Sequence, residues 1–210
     1  MSRDLILSSI RSSLGRRAGQ PVPAPPPVLL KIPEVPLARR IGQFCEALGK
    51  LNGKSLVAKN LEEARDYVAG LVQGRRAIAS NAPFLGECGI TSIPGVETGF
   101  TGRMALRERC ATYDIGITSA SFALAETGTL VMLSSAEEPR LVSLLPPVHI
   151  AVVPTSKLLT GLDELLTLLP DPAGHTSGMA FITGPSRTAD IEQFLVRGVH
   201  GPGEIHVVLV

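Results

Sequence analysis

Between Ser55 and Ala79 the apolar pattern switches from strand to helix and back to strand, and this switch restricts the architecture more than any other stretch of the chain. Ser55-Leu56-Val57-Ala58 is a short apolar run of strand length. Asn60-Leu61-Glu62-Glu63 then opens a helix, with Asn60 at the capping position and Glu63 at the reciprocal one. Leu61, Ala64, Val68, Leu71 and Val72 fall on one face of that helix before Gly74, and Ala77-Ile78-Ala79 returns to strand. Strand, helix and strand in this order build a parallel α/β unit. Asp114–Thr118, His149–Val153 and His206–Val210 repeat the strand signal, and Leu37–Leu51, Ala136–Leu145 and Lys157–Leu169 the helical one. The expected fold class is therefore α/β, a mostly parallel sheet flanked by helices. Residues 81–112 are broken by Pro83, Gly86, Gly89, Pro94, Gly95, Gly99 and Gly102 and predict loops and short helices.

Three segments divide the chain. Residues 1–19 hold an amphipathic helix with Leu5, Ile6, Ile10 and Leu14 near one side; 20–36 form a proline-rich linker; and 37–210 form the main domain. The 44% hydrophobic content and mean hydropathy of +0.25 exclude disorder throughout. No apolar run reaches the length of a membrane span. A net charge of +1 and only 4% aromatic residues give no basis for broad nucleic-acid binding. Cys45, Cys88 and Cys110 are scattered without metal-ligand spacing, so neither a metal centre nor a cofactor is expected in this chain. An odd cysteine count and no secretion signal point to the cytoplasm. Gly49–Ser55 falls one residue short of a phosphate-binding loop and precedes a strand where that loop should follow one.

Phe181 to Glu192 reads as a strand that breaks at Gly184 and opens a helix. Gly184 allows close backbone approach, Ser186 or Thr188 can cap, Arg187 offers a guanidinium fork, and Asp190 and Glu192 suit the first helical turn. Such a joint can bind an anion; it is also the ordinary turn chemistry of any α/β protein.

Four ordered segments, Ala125-Glu126-Thr127-Gly128-Thr129, Leu145-Pro146-Pro147-Val148-His149-Ile150, Gly184 to Glu192, and Gly198-Val199-His200-Gly201-Pro202, resemble the LUD-domain family in its lactate-utilisation protein C branch. The resemblance covers residues 37–210. It implies a fold like the NagB/RpiA/CoA-transferase group, a part in oxidising L-lactate to pyruvate, and iron–sulfur partner proteins that hold the clusters this chain lacks. Assembly with further copies of the chain is left open. The family brings no catalytic set with it, so the candidates come from the residues themselves. Glu126 can act as general base, nucleophile or acceptor, or simply cap the turn; Thr127, Gly128 and Thr129 can donate to a carboxylate or phosphate, or satisfy the turn alone. His200 can move a proton or bond backbone. His149 reads as structural, His175 has no supported role, and Arg140 can bind a carboxylate or pair with Glu137. Two functions follow: an accessory, non-redox subunit with a small anion-binding pocket, or a stand-alone transferase-like enzyme acting on an organic acid, CoA ester or phosphorylated small molecule through Glu126. The pocket reading requires Glu126, Arg187 and His200 to face one cleft.

Overall fold

The computed structural model describes residues 2–15, 17, 19–21, 32–191 and 194–210, without the side chains of residues 189–195. The chain divides at Lys31/Ile32 into two units. In the first, α1 (Arg3–Ser13) is capped by Ser2, whose hydroxyl accepts from the Leu5 amide at 3.4 Å, and Leu5, Ile6, Ile10 and Leu14 are exposed. Most of the proline-rich linker, residues 22–31, lies outside the described residues.

The second unit runs α2 (Leu37–Lys50), β1 (Lys54–Val57), α3 (Leu61–Val72), β2 (Ala77–Ala79), α4 (Pro83–Glu87), β3 (Val96–Glu97), α5 (Arg103–Thr112) and β4 (Ile115–Thr118). It continues through β5 (Phe122–Leu124), β6 (Thr129–Leu133), α6 (Arg140–Leu144), β7 (Val148–Val153), β8 (Leu158–Leu159), α7 (Leu162–Leu168), β9 (Met179–Ile182), β10 (Arg187–Ile191), β11 (Phe194–Arg197) and β12 (Glu204–Leu209). Six strands in the order β1-β12-β7-β4-β2-β3 form one sheet, every neighbouring pair parallel. A parallel sheet must be covered on both faces, which is why β4 and β7 are buried at every position. Ala77, Ala79, Ile117, Ile150 and Val152 face α3 and α4 through Ala64, Val68, Val72 and Leu85. On the opposite face Ile78 packs with Leu106, Cys110 and Val142 of α5 and α6, while Ala151, Val153, Ile205, Val207 and Leu209 meet Phe44 and Leu48 of α2 and the second sheet. That second sheet, β8-β5-β6-β9, is mixed.

The β1-α3-β2 unit forms where the sequence predicts it. Asn60 Oδ1 accepts from the Glu63 amide at 2.8 Å, and Glu63 Oε2 accepts from the Lys59 amide at 2.7 Å, so the reciprocal bond lands one residue before the cap. Three predictions change. Residues after Gly184 form no helix: Arg187–Ile191 is β10, paired antiparallel with β11. Ser186 hydrogen-bonds through its backbone to Gly198 and Pro202, which ties the turn to the loop after β11 and keeps the chain extended. The helix over 136–145 shrinks to α6, because Glu138 turns inward instead of starting it. The helix over 157–169 breaks at Gly161, with Leu158–Leu159 drawn into the second sheet beside β5. Glu192 lies outside the described residues, as does the side chain of Asp190.

Candidate functional site

The turn at Gly184 is held by the C-terminal end of α2. Gly184 has φ +84°, and a Cβ there would press on Leu51 Cβ at 2.9 Å. Arg187 donates to the Leu51 carbonyl, and the Asn52 amide oxygen, when turned toward them, accepts from Arg187 and Arg197 at 3.2 Å each. Two guanidinium groups therefore sit at the negative pole of α2, a favourable place for a cation, with Arg187 already donating to Leu51 and Asn52. The 125–129 turn closes on the same helix. Gly128 has φ +63°, and any side chain there would overlap the backbone at Leu48. Thr127 and Thr129 share a hydroxyl bond of 2.7 Å, and Thr129 and Thr183 one of 2.9 Å, so these groups satisfy one another. Glu126 is exposed and its carboxylate lies against Gly161.

His200 lines a small cavity of about 190 Å³ with Gly184, Ser186, Thr183, Ser143 and Phe181. Two of the four recognisable segments thus meet there, with Gly201 packed on Ser186. Neither Glu126 nor Arg187 lines it, so this cavity does not join the three residues expected to share one cleft. Thr188 is half-buried in β10, and His175 is exposed at the end of a short 3-10 turn. Arg140 is exposed, runs past Gly178 and makes no ion pair with Glu137.

The strand order points elsewhere. From β2 the chain moves outward to β3, returns to the other side of β2 as β4, and then proceeds to β7 and β12. Connections leaving β2 and β4 diverge, and in open parallel sheets a crevice forms outside the carboxyl ends of such strands. Here Asn81, just past β2, pins the next loop: its Oδ1 accepts from the Gly99 amide at 2.8 Å and its Nδ2 donates to the Phe100 carbonyl at 3.0 Å. That loop delivers α5, which begins at Gly102 without a side-chain cap and with no acidic residue in its first turn. Between it and the 135–139 segment lies a half-open cavity of about 560 Å³, lined by Asn81, Phe100, Arg103, Leu106, Ser135 and Leu141 among others.

Behind the cavity wall, buried polar groups gather on adjacent strand ends. Glu137 and Pro139 face the cavity, while Glu138 between them turns its carboxylate onto the Ser119 amide at 2.8 Å, at the end of β4. Its Oε2 is sealed from solvent, as is Ser80 Oγ at the end of β2, and the two lie close enough for the hydroxyl to act on the carboxylate. Burial pushes the Glu138 carboxyl up to about 7, opposed by the Ser119 N–H and the Ser80 hydroxyl. Next to Ser119, Thr118 Oγ1 lies 2.8 Å from His149 Nε2, and His149 Nδ1 is unpartnered. Full burial drives the imidazole down to about 4. Unsatisfied buried polar atoms are uncommon, and a carboxyl held near neutrality at a strand-end crevice suits a group that holds or releases a proton beside a ligand. In sequence, Glu138 resembled an ordinary acidic residue at a helix start and Asn81 part of an uninformative loop. A usable signal existed in Ala77-Ile78-Ala79-Ser80-Asn81 and Ile117-Thr118-Ser119, where apolar strands end in short polar side chains.

Comparisons with known proteins agree with this architecture. The LUD domain family model matches residues 41–210. A protein of Halalkalibacterium halodurans called Lactate utilization protein C is 39% identical over 157 residues, covering 71% of this chain and 68% of that one. One of the same name from an Exiguobacterium species is 44% identical over 110 residues, 50% of this chain and 48% of the relative. Among solved structures, a DUF162 family protein from Deinococcus radiodurans superposes with a TM-score of 0.64 at 18% identity, covering 84% of this chain and 99% of that one, and supports the fold. With the family model spanning the parallel sheet, the second sheet and the crevice between the ends of β2 and β4, the chain belongs to the LUD domain family.

Proposed function

We propose that this chain is a component of an L-lactate utilisation system, taking part in the oxidation of L-lactate to pyruvate beside iron–sulfur partner proteins in the cytoplasm. The observation that carries the proposal is the 39% identity to a protein called Lactate utilization protein C across 71% of this chain. Oxidising the alcohol carbon of lactate removes a pair of electrons and a pair of protons. The electrons go to the partners' clusters; this chain supplies a non-redox surface and a pocket for a small organic anion. Glu138, held near neutrality beside Ser80 and Ser119, is the group in that pocket region that can take or give a proton at neutral pH.

The test is genetic and biochemical together. Expressed in a bacterium that has lost its own lactate utilization protein C, the chain is expected to restore growth on L-lactate and to co-purify with iron–sulfur proteins. A folded, expressed chain that restores no growth overturns the role.

A further inference from the structure

The crevice has room for a ligand larger than lactate. About 560 Å³ falls within the roughly 300–1,000 Å³ range of sites for drug-sized ligands, several times the volume of a three-carbon acid. Its walls divide by chemistry. Phe100, Leu106 and Leu141 supply apolar surface, and Asn81, Ser135 and Arg103 supply polar groups. The charge count limits the ligand further. Arg103 is exposed on the first turn of α5, where the free N–H groups already carry partial positive charge and a cation is ordinarily unfavourable. An anion at that place relieves the conflict. Glu137 lines the same cavity and Glu138 stands behind it, so a dianion such as a phosphate meets carboxylates that a single negative charge meets less strongly.

We propose that the crevice binds a monocarboxylate carrying an apolar body larger than a methyl group, its carboxylate against Arg103 and the first turn of α5 and its body against Phe100, Leu106 and Leu141. This deepens the proposed function by assigning its organic anion a place and a class, 2-hydroxy or 2-oxo acids with bulky side chains. The two fail separately, since growth on lactate and binding in the crevice are independent measurements. Glu138 tunes the site by charge: protonated, it leaves the anion unopposed; ionised, it repels it. The charged groups of the cavity in front of Glu138 are Arg103 of α5 and Glu137 on its own segment, and past Ser119 and Thr118 stands the neutral His149 of β7.

The test uses calorimetric titration of the full chain with 3-phenyllactate and with L-lactate at pH 6 and pH 8. Phenyllactate is expected to bind saturably, about tenfold or more tighter than lactate, as burial of a ring requires. Its affinity is expected to be about tenfold higher at pH 6 than at pH 8, following the protonated fraction of Glu138. Arg103→Gln, at an exposed position, should weaken it at least tenfold at either pH, and Glu138→Gln should flatten the pH dependence. No saturable phenyllactate binding, equal or tighter binding of lactate, or an Arg103→Gln protein that melts like the parent and binds equally well would each overturn the proposal. So would affinity that is lost in His200→Ala, which lines the other cavity, and kept in Arg103→Gln.

Discussion

Glu138 lies against the end of β4 and His149 near the start of β7, and burial moves them in opposite directions along the pH scale. Glu138 is raised from an ordinary value near 4.5 to about 7. Between those values the unfolded chain is ionised there while the folded chain keeps its proton, so this group's contribution to stability falls as pH rises through the window, by roughly 3 kcal/mol in all. His149 is lowered from 6.5 to about 4, so the unfolded chain takes up a proton first and stability is lost as pH falls from 6.5 toward 4. The two effects overlap and mask each other in the parent protein. Replacing Glu138 by Gln separates them: the melting temperature of the variant relative to the parent should be higher at pH 8 than at pH 4.5 by roughly 6–12 °C. Curves that run parallel across pH 4.5–8 would show an ordinary carboxylate. Arg187, by contrast, sits on the exposed end of α2, so Arg187→Ala should cost no more than about 1 kcal/mol in urea unfolding and leave phenyllactate affinity unchanged. Such roles were hidden in the sequence, which shows that Glu138 precedes an apolar run but not that the end of β4 offers it an unpaired amide. The capping of α3 was legible, because Asn60 and Glu63 act within one turn; Asn60→Ala should cost about 1 kcal/mol.

At the scale of elements, local signals succeeded where local chemistry decided the outcome. The apolar runs of β4, β7 and β12 are buried on both faces and read directly as strands. The Gly184 turn misled because Gly-Pro-Ser before Arg-Thr-Ala-Asp carries the chemistry of a helix start, while the deciding partners, Gly198, Pro202 and Leu51, are distant in sequence. Leu158–Leu159 is likewise taken from a predicted helix by pairing with β5. The 125–129 turn was recognised for its small residues, and the structure supplies the reason. Gly128 combines a left-handed backbone with contact against α2, so Gly128→Ala should destabilise the domain by more than about 3 kcal/mol in urea unfolding. A loss below about 1 kcal/mol would mean that α2 can shift to accept the methyl group.

Across the whole molecule, the parallel α/β architecture was readable from alternating patterns, whereas the strand order was not. No residue announces that β3 lies outside β2 or that β12 is inserted between β1 and β7. The proposed crevice depends on that order, so Ser80, Asn81 and Glu138 gave less local signal in the sequence than Gly184 and Glu126 did. The central claim is that ligand enters at the ends of β2 and β4. Backbone amide resonances of isotope-labelled full-length protein, followed during titration with 3-phenyllactate, test it most directly. Binding there should shift resonances at Ser80, Asn81, Phe100, Arg103, Ser119 and Glu138 and leave Gly184, Ser186 and His200 unmoved. Shifts centred on Gly184 to His200, or none at saturating ligand, would contradict it.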